Sequence, residues 1–130
     1  MRFLFIATAA CAAAFFAASA VAFAADAHRG QQLWESRCFG CHALDADRVG
    51  PRHRGVFGRK AGTIEGFAYS TAVKSSSVVW GDKTLDAWLT NPQALIVGQR
   101  MNFRVATAED RADIIAFLQR ESDPKTAKTK

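Results

Sequence analysis

The residues best placed to do chemistry are Cys38-Phe39-Gly40-Cys41-His42. Two thiols three positions apart, followed at once by an imidazole, form the pattern of a covalent haem attachment site. On a helical turn, residues three apart share a face, so Cys38 and Cys41 can reach the two vinyl groups along one porphyrin edge. Two thioether bonds then fix the ring, and His42 is held close to the iron as an axial nitrogen ligand.

Other uses of a paired thiol fit less well. A zinc ribbon takes four ligands, usually two Cys pairs, and beyond residue 25 the only cysteines are Cys38 and Cys41. A redox Cys-x-x-Cys of thioredoxin type follows a buried strand in a βαβ pattern, whereas Gly30 to Arg37 reads as helix. A plain disulfide or dithiol is the remaining structural alternative.

A six-coordinate haem iron needs a ligand opposite His42. Beyond the N-terminal segment the sequence holds one methionine, Met101. It follows Pro92 and Gly98 in a segment suited to an irregular loop, from which a thioether can cross the distal face. Its structural alternative is a core gap-filler. His28 and His53 are rival ligands; His53, between Arg52 and Arg54, reads most simply as a solvated side chain or a backbone-bonding partner.

The elements that must position these groups are helical. The pattern predicts a first helix over 27 to 38, with Leu33, Trp34 and Arg37 at helical spacing and Gly30 where another backbone can approach. A turn-rich loop follows to residue 68, punctuated by Gly50-Pro51, Gly55, Gly58, Gly62 and Gly66. Helical turns over Ser70 to Lys74 lead to an extended Val78-Val79-Trp80 that ends at Gly81-Asp82. Leu85, Trp88 and Leu89 predict a further helix stopped by Asn91-Pro92. The last helix opens at Thr107-Ala108-Glu109-Asp110, read as a capping box with Asp in place of Glu, and carries Ile114, Ile115, Phe117 and Leu118 on its apolar face. No strand-rich architecture is indicated.

Residues 3 to 25 are almost entirely apolar and small, with Arg2 before them and Ala22-Phe23-Ala24 as a signal-peptidase site. The expected organisation is a signal peptide over 1–24, a haem domain over 25–122 and a polar, frayed tail over 123–130. Export to the periplasm agrees with covalent haem attachment, which takes place outside the bacterial cytoplasmic membrane. Retention of the segment as an N-terminal anchor and lipidation at Cys11 are the alternatives to cleavage. A domain of about a hundred residues buries little apolar surface alone, and a flat macrocycle gives its aromatic residues something to pack on.

The chain resembles the class I cytochromes c of the soluble mitochondrial and bacterial cytochrome c2 type. Besides the attachment motif, the run from Gly50-Pro51-Arg52-His53-Arg54-Gly55 through Val56-Phe57-Gly58-Arg59-Lys60-Ala61-Gly62 is similar to the family's glycine-rich loop, where a leucine usually stands near His53. Gly66-Phe67-Ala68-Tyr69-Ser70, Val79-Trp80, Leu89-Thr90-Asn91-Pro92, Gly98-Gln99-Arg100-Met101 and the segment from Asp110 to Leu118 follow in the family's order. The resemblance implies an all-α, single-domain class I cytochrome c fold of helices and glycine-rich loops around one haem c, bound through Cys38 and Cys41. It implies His42 and Met101 as iron ligands, with the Pro51 carbonyl accepting from the His42 ring. Arg59, Tyr69 and Trp80 would donate to the haem propionates, and Gly30 and Trp34 would pack where the first helix crosses the last near Ile114 and Phe117.

Four departures bear on the site. Trp88 stands where the family commonly has a tyrosine bonded to the methionine sulfur, and an indole donates without accepting. Val73 replaces a commonly seen asparagine, and Val97 and Gln99 replace a proline and a threonine beside the ligand.

Loss of residues 1 to 24 removes one basic residue, Arg2, leaving sixteen Lys and Arg against twelve Asp and Glu, a net charge of +4 with histidines neutral. Arg100 and Arg104 beside Met101, with Arg37, Arg52, Arg54 and Lys60 near the attachment loop, suggest a basic face for acidic patches on redox partners. Nucleic acid is not an expected partner, membrane contact would run through partners or an uncleaved anchor, and a monomer is expected. The resulting expectation is a one-electron carrier in the periplasm, linking respiratory or dehydrogenase partners without itself being an enzyme. The competing readings are a dedicated haem subunit of a periplasmic dehydrogenase and a gas-binding or peroxide-reacting haem protein.

Overall fold

The first helix, α1 (Ala27–Arg37), begins where Asp26 can cap it: the carboxylate accepts from the His28 and Arg29 amides at 2.8 and 3.2 Å. Arg37 lies in its last turn, where a cation meets the negative end of the helix dipole. The computed structural model describes residues 24–126. The sequence reading of cleavage after Ala24 concerns a segment outside the described residues, as does the tail beyond Thr126. Among the described residues no helix is long and apolar enough to cross a membrane.

Four more helices follow: α2 (Thr71–Lys74), α3 (Asp82–Thr90), α4 (Pro92–Leu95) and α5 (Ala108–Arg120). The described residues contain no sheet, only an isolated antiparallel bridge between Lys60 and Val79. Four of the helices occupy the places read from the hydrophobic pattern, and α4 was not anticipated. The reason is a double use of one dipeptide. Asn91 is extended at φ −160°, as the residue before proline must be, which ends α3; Pro92 then supplies the first residue of a new helical turn.

The α1–α5 crossing holds the first and last helices of the described residues together. A β-carbon on Gly30 would lie 1.9 Å from the Asp113 carbonyl oxygen, so the backbones meet at a distance only glycine permits. One turn on, Trp34 packs its ring 5.6 Å from that of Phe117, and both are almost fully buried with Ile114 and Leu118.

Charge closes the edge of this crossing. Asp113 is completely buried, accepts the Asp26 amide at 2.7 Å and pairs with Arg29, which also reaches Asp110. Arg37 binds the other Asp110 oxygen at 2.9 Å. The capping-box reading needs correction here: Thr107 is the N-cap of α5, but its side chain makes no capping bond to the backbone. Its hydroxyl bonds to the Asp110 carboxylate, and that bond, with those from Arg29 and Arg37, holds the carboxyl below its ordinary range.

A lowered folded pKa means that Asp110 stabilises the fold above its unfolded value of about 3.9, and that the contribution is lost as pH falls below it. Asp110→Asn is expected to lower Tm at pH 7 and to flatten the decline of Tm between about pH 5 and pH 3. Parallel declines in both proteins, followed by thermal unfolding across that range, would rule Asp110 out as the acid-sensitive clasp.

Between α1 and α2 the chain is a loop, as the glycine spacing predicts. Gly62 shows why it must be: at φ +73° its hydrogen faces the Val73 carbonyl, which a β-carbon would approach to 2.6 Å. The loop is tied to the extended segment before α3 by Ala61 N–H to Val78 O at 2.8 Å and Trp80 N–H to Arg59 O at 2.9 Å. This places Arg59 and Trp80 side by side in the chain path around the molecule's central cavity.

Candidate haem site

The attachment residues leave α1 on one further turn. The Cys38 carbonyl accepts from both the Cys41 and His42 amides, at 3.1 and 2.9 Å, so one oxygen gathers all three residues. Cys38 is buried and Cys41 exposed. Burial pushes the Cys38 thiol up to about 11, against a lowering by Arg37, so it stays protonated at neutral pH.

Both cysteines border a cavity of about 440 Å³, within the range of roughly 300–1,000 Å³ usual for cofactor sites. His42, Pro51, Arg59, Tyr69, Trp80 and Met101 line the same cavity, so all eight sequence-predicted site residues are brought together. Apolar side chains from the loop after the attachment turn and from α2, α3 and α5 complete the wall, among them Val56, Val73, Leu85, Ile114 and Leu118.

His42 is oriented by its neighbours. Its Nδ1 lies 2.8 Å from the Pro51 carbonyl oxygen, which can only accept, so the ring proton is on Nδ1 and the Nε2 lone pair is free. Burial pushes this imidazole below its usual range, the Pro51 bond acting in the opposite direction. Gly50 sits hard against the ring: a β-carbon there would lie 2.2 Å from Cε1.

His53 is not the solvated side chain expected from its flanking arginines. Its ring stacks on His42 at 3.9 Å between centroids, and its Nδ1 accepts from Trp34 Nε1 at 2.8 Å. Burial, with His42 and Arg59 nearby, pushes its pKa well below the ordinary imidazole value. Lying beside His42, it is not placed opposite it. His28, the other rival ligand, is exposed at the start of α1 and does not line the cavity. The useful signal for His53 was a polar side chain at a place where the family pattern usually puts leucine.

Met101 lies in the irregular segment between α4 and α5. Trp88 Nε1–H donates to its sulfur at 3.2 Å, so the departure from tyrosine keeps a donor at this atom. Trp88 is itself braced by Trp80, ring to ring at 5.2 Å and nearly perpendicular. Gln99 Oε1 accepts the Met101 amide, linking the Met101 loop to a buried side chain.

Gln99 lines the cavity, but its Nε2 is buried away from the open space and has no hydrogen-bond partner among the described residues, a costly condition for an amide. Arg59, on the cavity wall, offers a donor to a carboxylate-bearing, otherwise apolar group: it spends one nitrogen on the Arg54 carbonyl at 3.0 Å and another on the Arg52 carbonyl at 2.9 Å, and its remaining N–H groups are uncommitted by these bonds. Burial lowers the Arg59 pKa, as expected of a guanidinium poised for an anionic neighbour. An apolar wall with such donors, behind two thiols and an imidazole, fits haem c.

The basic face is smaller than the sequence suggested. Arg37 is engaged by Asp110, Arg52 by Asp47 at 3.0 Å, and Arg54 by Asp45 and by Glu121 at 2.7 Å. These pairs hold the attachment loop to itself and to the end of α5, leaving exposed Arg100 and Arg104 beside Met101 and exposed Lys60 as the freer positive charges of the set.

The family model for cytochrome c matches residues 27–121. Cytochrome c of Euglena viridis is 41% identical over 101 residues, covering 75% of this chain and 99% of the relative. Cytochrome c of Arabidopsis thaliana is 40% identical over 101 residues, covering 75% and 90%. Cytochrome cH from Methylobacterium extorquens shares the fold with a TM-score of 0.69 at 35% identity, covering 72% of this chain and 97% of that one. Helices wrapped around one cavity behind a Cys-x-x-Cys-His turn thus define a class I c-type cytochrome. The chain belongs to the cytochrome c family, whose haem is bound covalently through the Cys pair, here Cys38 and Cys41, and serves in electron transfer.

Proposed function

We propose that this chain is a periplasmic one-electron carrier with His42 and Met101 as axial ligands, shuttling between redox proteins and catalysing no reaction of its own. The observation that supports the reading is that His42 and Met101 both line one cavity, with a hydrogen bond from His42 Nδ1 to the Pro51 carbonyl fixing one side chain and a hydrogen bond from Trp88 to the Met101 sulfur holding the other. The haem supplies the iron that alternates between Fe(II) and Fe(III).

The protein's part is to keep the surroundings the same in both states. Pro51 fixes the His42 tautomer and ring direction, and Trp88 occupies one sulfur lone pair of Met101, directing the other. Arg59, Tyr69 and Trp80 would supply donors for the propionates. The apolar wall excludes water, which limits reorganisation on oxidation. Exposed Arg100 and Arg104 offer a small positive surface near Met101, suited to brief encounters with acidic patches. The N-terminal apolar segment supports export as read from the sequence.

The visible spectrum of the exported holoprotein tests this. A weak far-red band in the ferric state, and a reduced spectrum unchanged by carbon monoxide, are expected. Loss of that band together with ready carbon monoxide binding would replace the carrier by an open-site haem protein.

Trp88→Phe keeps the ring packing but removes the donor to sulfur. The sulfur then donates more strongly to ferric iron, so the potential should fall by roughly 20–40 mV, as when part of a hydrogen bond of ~1 kcal/mol is felt by one oxidation state. Protein-film voltammetry measures this, and an unchanged potential would mean that the indole only packs.

A further inference from the structure

Trp34 and His53 connect the α1–α5 crossing to the attachment turn in a way the carrier reading leaves unused. The two imidazoles of His42 and His53 lie 26° from parallel with centroids 3.9 Å apart. An indole N–H can only donate, so the 2.8 Å bond from Trp34 makes His53 Nδ1 the acceptor and puts the proton of a neutral ring on Nε2.

The His53 backbone is held as well: its N–H donates to Ala43 O and its carbonyl accepts from Val56 N–H, each at 2.9 Å. Trp34, 3% exposed and packed on Phe117, cannot follow a moving partner. The His42 ring, by contrast, is directed by one hydrogen bond, at Nδ1 to Pro51, which sets its direction and leaves a tilt of its plane about that contact. A second flat ring against its face removes that freedom. Leucine, usual at this place in the family pattern, fills space but neither accepts from an indole nor presents a plane.

We propose that His53 is a positioning residue for the haem: pinned by Trp34, it sets the plane of the His42 imidazole and couples the α1–α5 crossing to the electronic state of the iron. The inference rests on His42 as iron ligand. The plane of an axial imidazole governs how unpaired spin is distributed over the porphyrin in the ferric state, so it can be read independently of electron-transfer activity.

The experiment is proton NMR of the oxidised holoprotein, following the hyperfine-shifted haem methyl resonances and those of the coordinated imidazole, with the Fe(II)/Fe(III) ratio measured at fixed solution potential. His53→Leu should reorder or respread the methyl shifts and change that ratio by roughly threefold, the scale of one lost aromatic contact. Trp34→Phe, which keeps an aromatic ring but loses the donor, should move both readouts in the same direction. The double variant should show less than the summed effects, because both changes cut one connection. His53→Phe, which restores a plane, should lie nearer the unaltered protein than His53→Leu.

Methyl shifts unchanged in His53→Leu, with the coordinated-imidazole resonances intact, would overturn the positioning role and leave the carrier reading standing. Absence of coordinated-imidazole resonances from the unaltered protein would remove His42 as ligand and take both down together.

Discussion

Met101→Ala is expected to abolish the far-red ferric band, admit carbon monoxide to the reduced protein and lower the reduction potential by on the order of 0.1 V or more, within the ~0.8 V span that axial ligands command. The direction follows from donor chemistry. A thioether favours Fe(II), and the water or hydroxide that would enter in its place is a harder donor that favours Fe(III). Gln99 and Trp88 hold the sulfur from two directions, one through the Met101 amide and one at the sulfur itself, yet neither offers a replacement ligand by these bonds. His53 cannot substitute, being stacked on His42. A variant that still excludes carbon monoxide and keeps the far-red band would show that another group closes the sixth site.

Gly30→Ala should be the most damaging small substitution in the fold. Alanine is favoured over glycine by about 1 kcal/mol in a helix interior, so on α1 alone the change would stabilise. The added β-carbon would instead lie 1.9 Å from the Asp113 carbonyl oxygen and 2.5 Å from its carbon, backbone atoms that cannot rotate away. Parting the helices loosens Trp34 against Phe117 and the pairing of Arg29 with Asp113. Overpacking of this kind costs about 3 kcal/mol, leaving a net loss near 2 kcal/mol and a fall of roughly 10–15 °C in Tm for a domain of this size. Gly81→Ser is the control: nothing lies within 4 Å of its would-be β-carbon, and serine is a good N-cap for α3. Thermal unfolding of the two holoproteins side by side decides the matter; equal Tm values would show that the crossing can open at little cost.

Haem attachment was legible in five residues because it depends on local geometry: Cys38, Cys41 and His42 act within one turn, and a turn is specified by its own stretch of chain. The helices were legible for a related reason. Asp26 before α1, the spacing of Leu85, Trp88 and Leu89, and the apolar face of α5 each record a local preference. Resemblance supplied Pro51, Arg59, Tyr69 and Trp80, which spacing alone could not connect, whereas Met101 was marked by being the one methionine beyond the N-terminal segment.

What spacing could not give was the partner of each polar group. Arg37, Arg52 and Arg54 read as a docking surface until the fold brought Asp110, Asp47, Asp45 and Glu121 against them. His53 read as solvated among arginines until folding laid it on His42 and under the Trp34 indole. Gln99 read as a substitution beside the ligand, and only burial made its unpaired amide a feature of the site. Local sequence carries helix, turn and attachment chemistry because those energies act between near neighbours. Charge pairing, stacking and burial join residues beyond one turn of chain, from Arg52 and Asp47 in one loop to Arg37 and Asp110 on different helices, so they come into being only when the chain closes around the cavity.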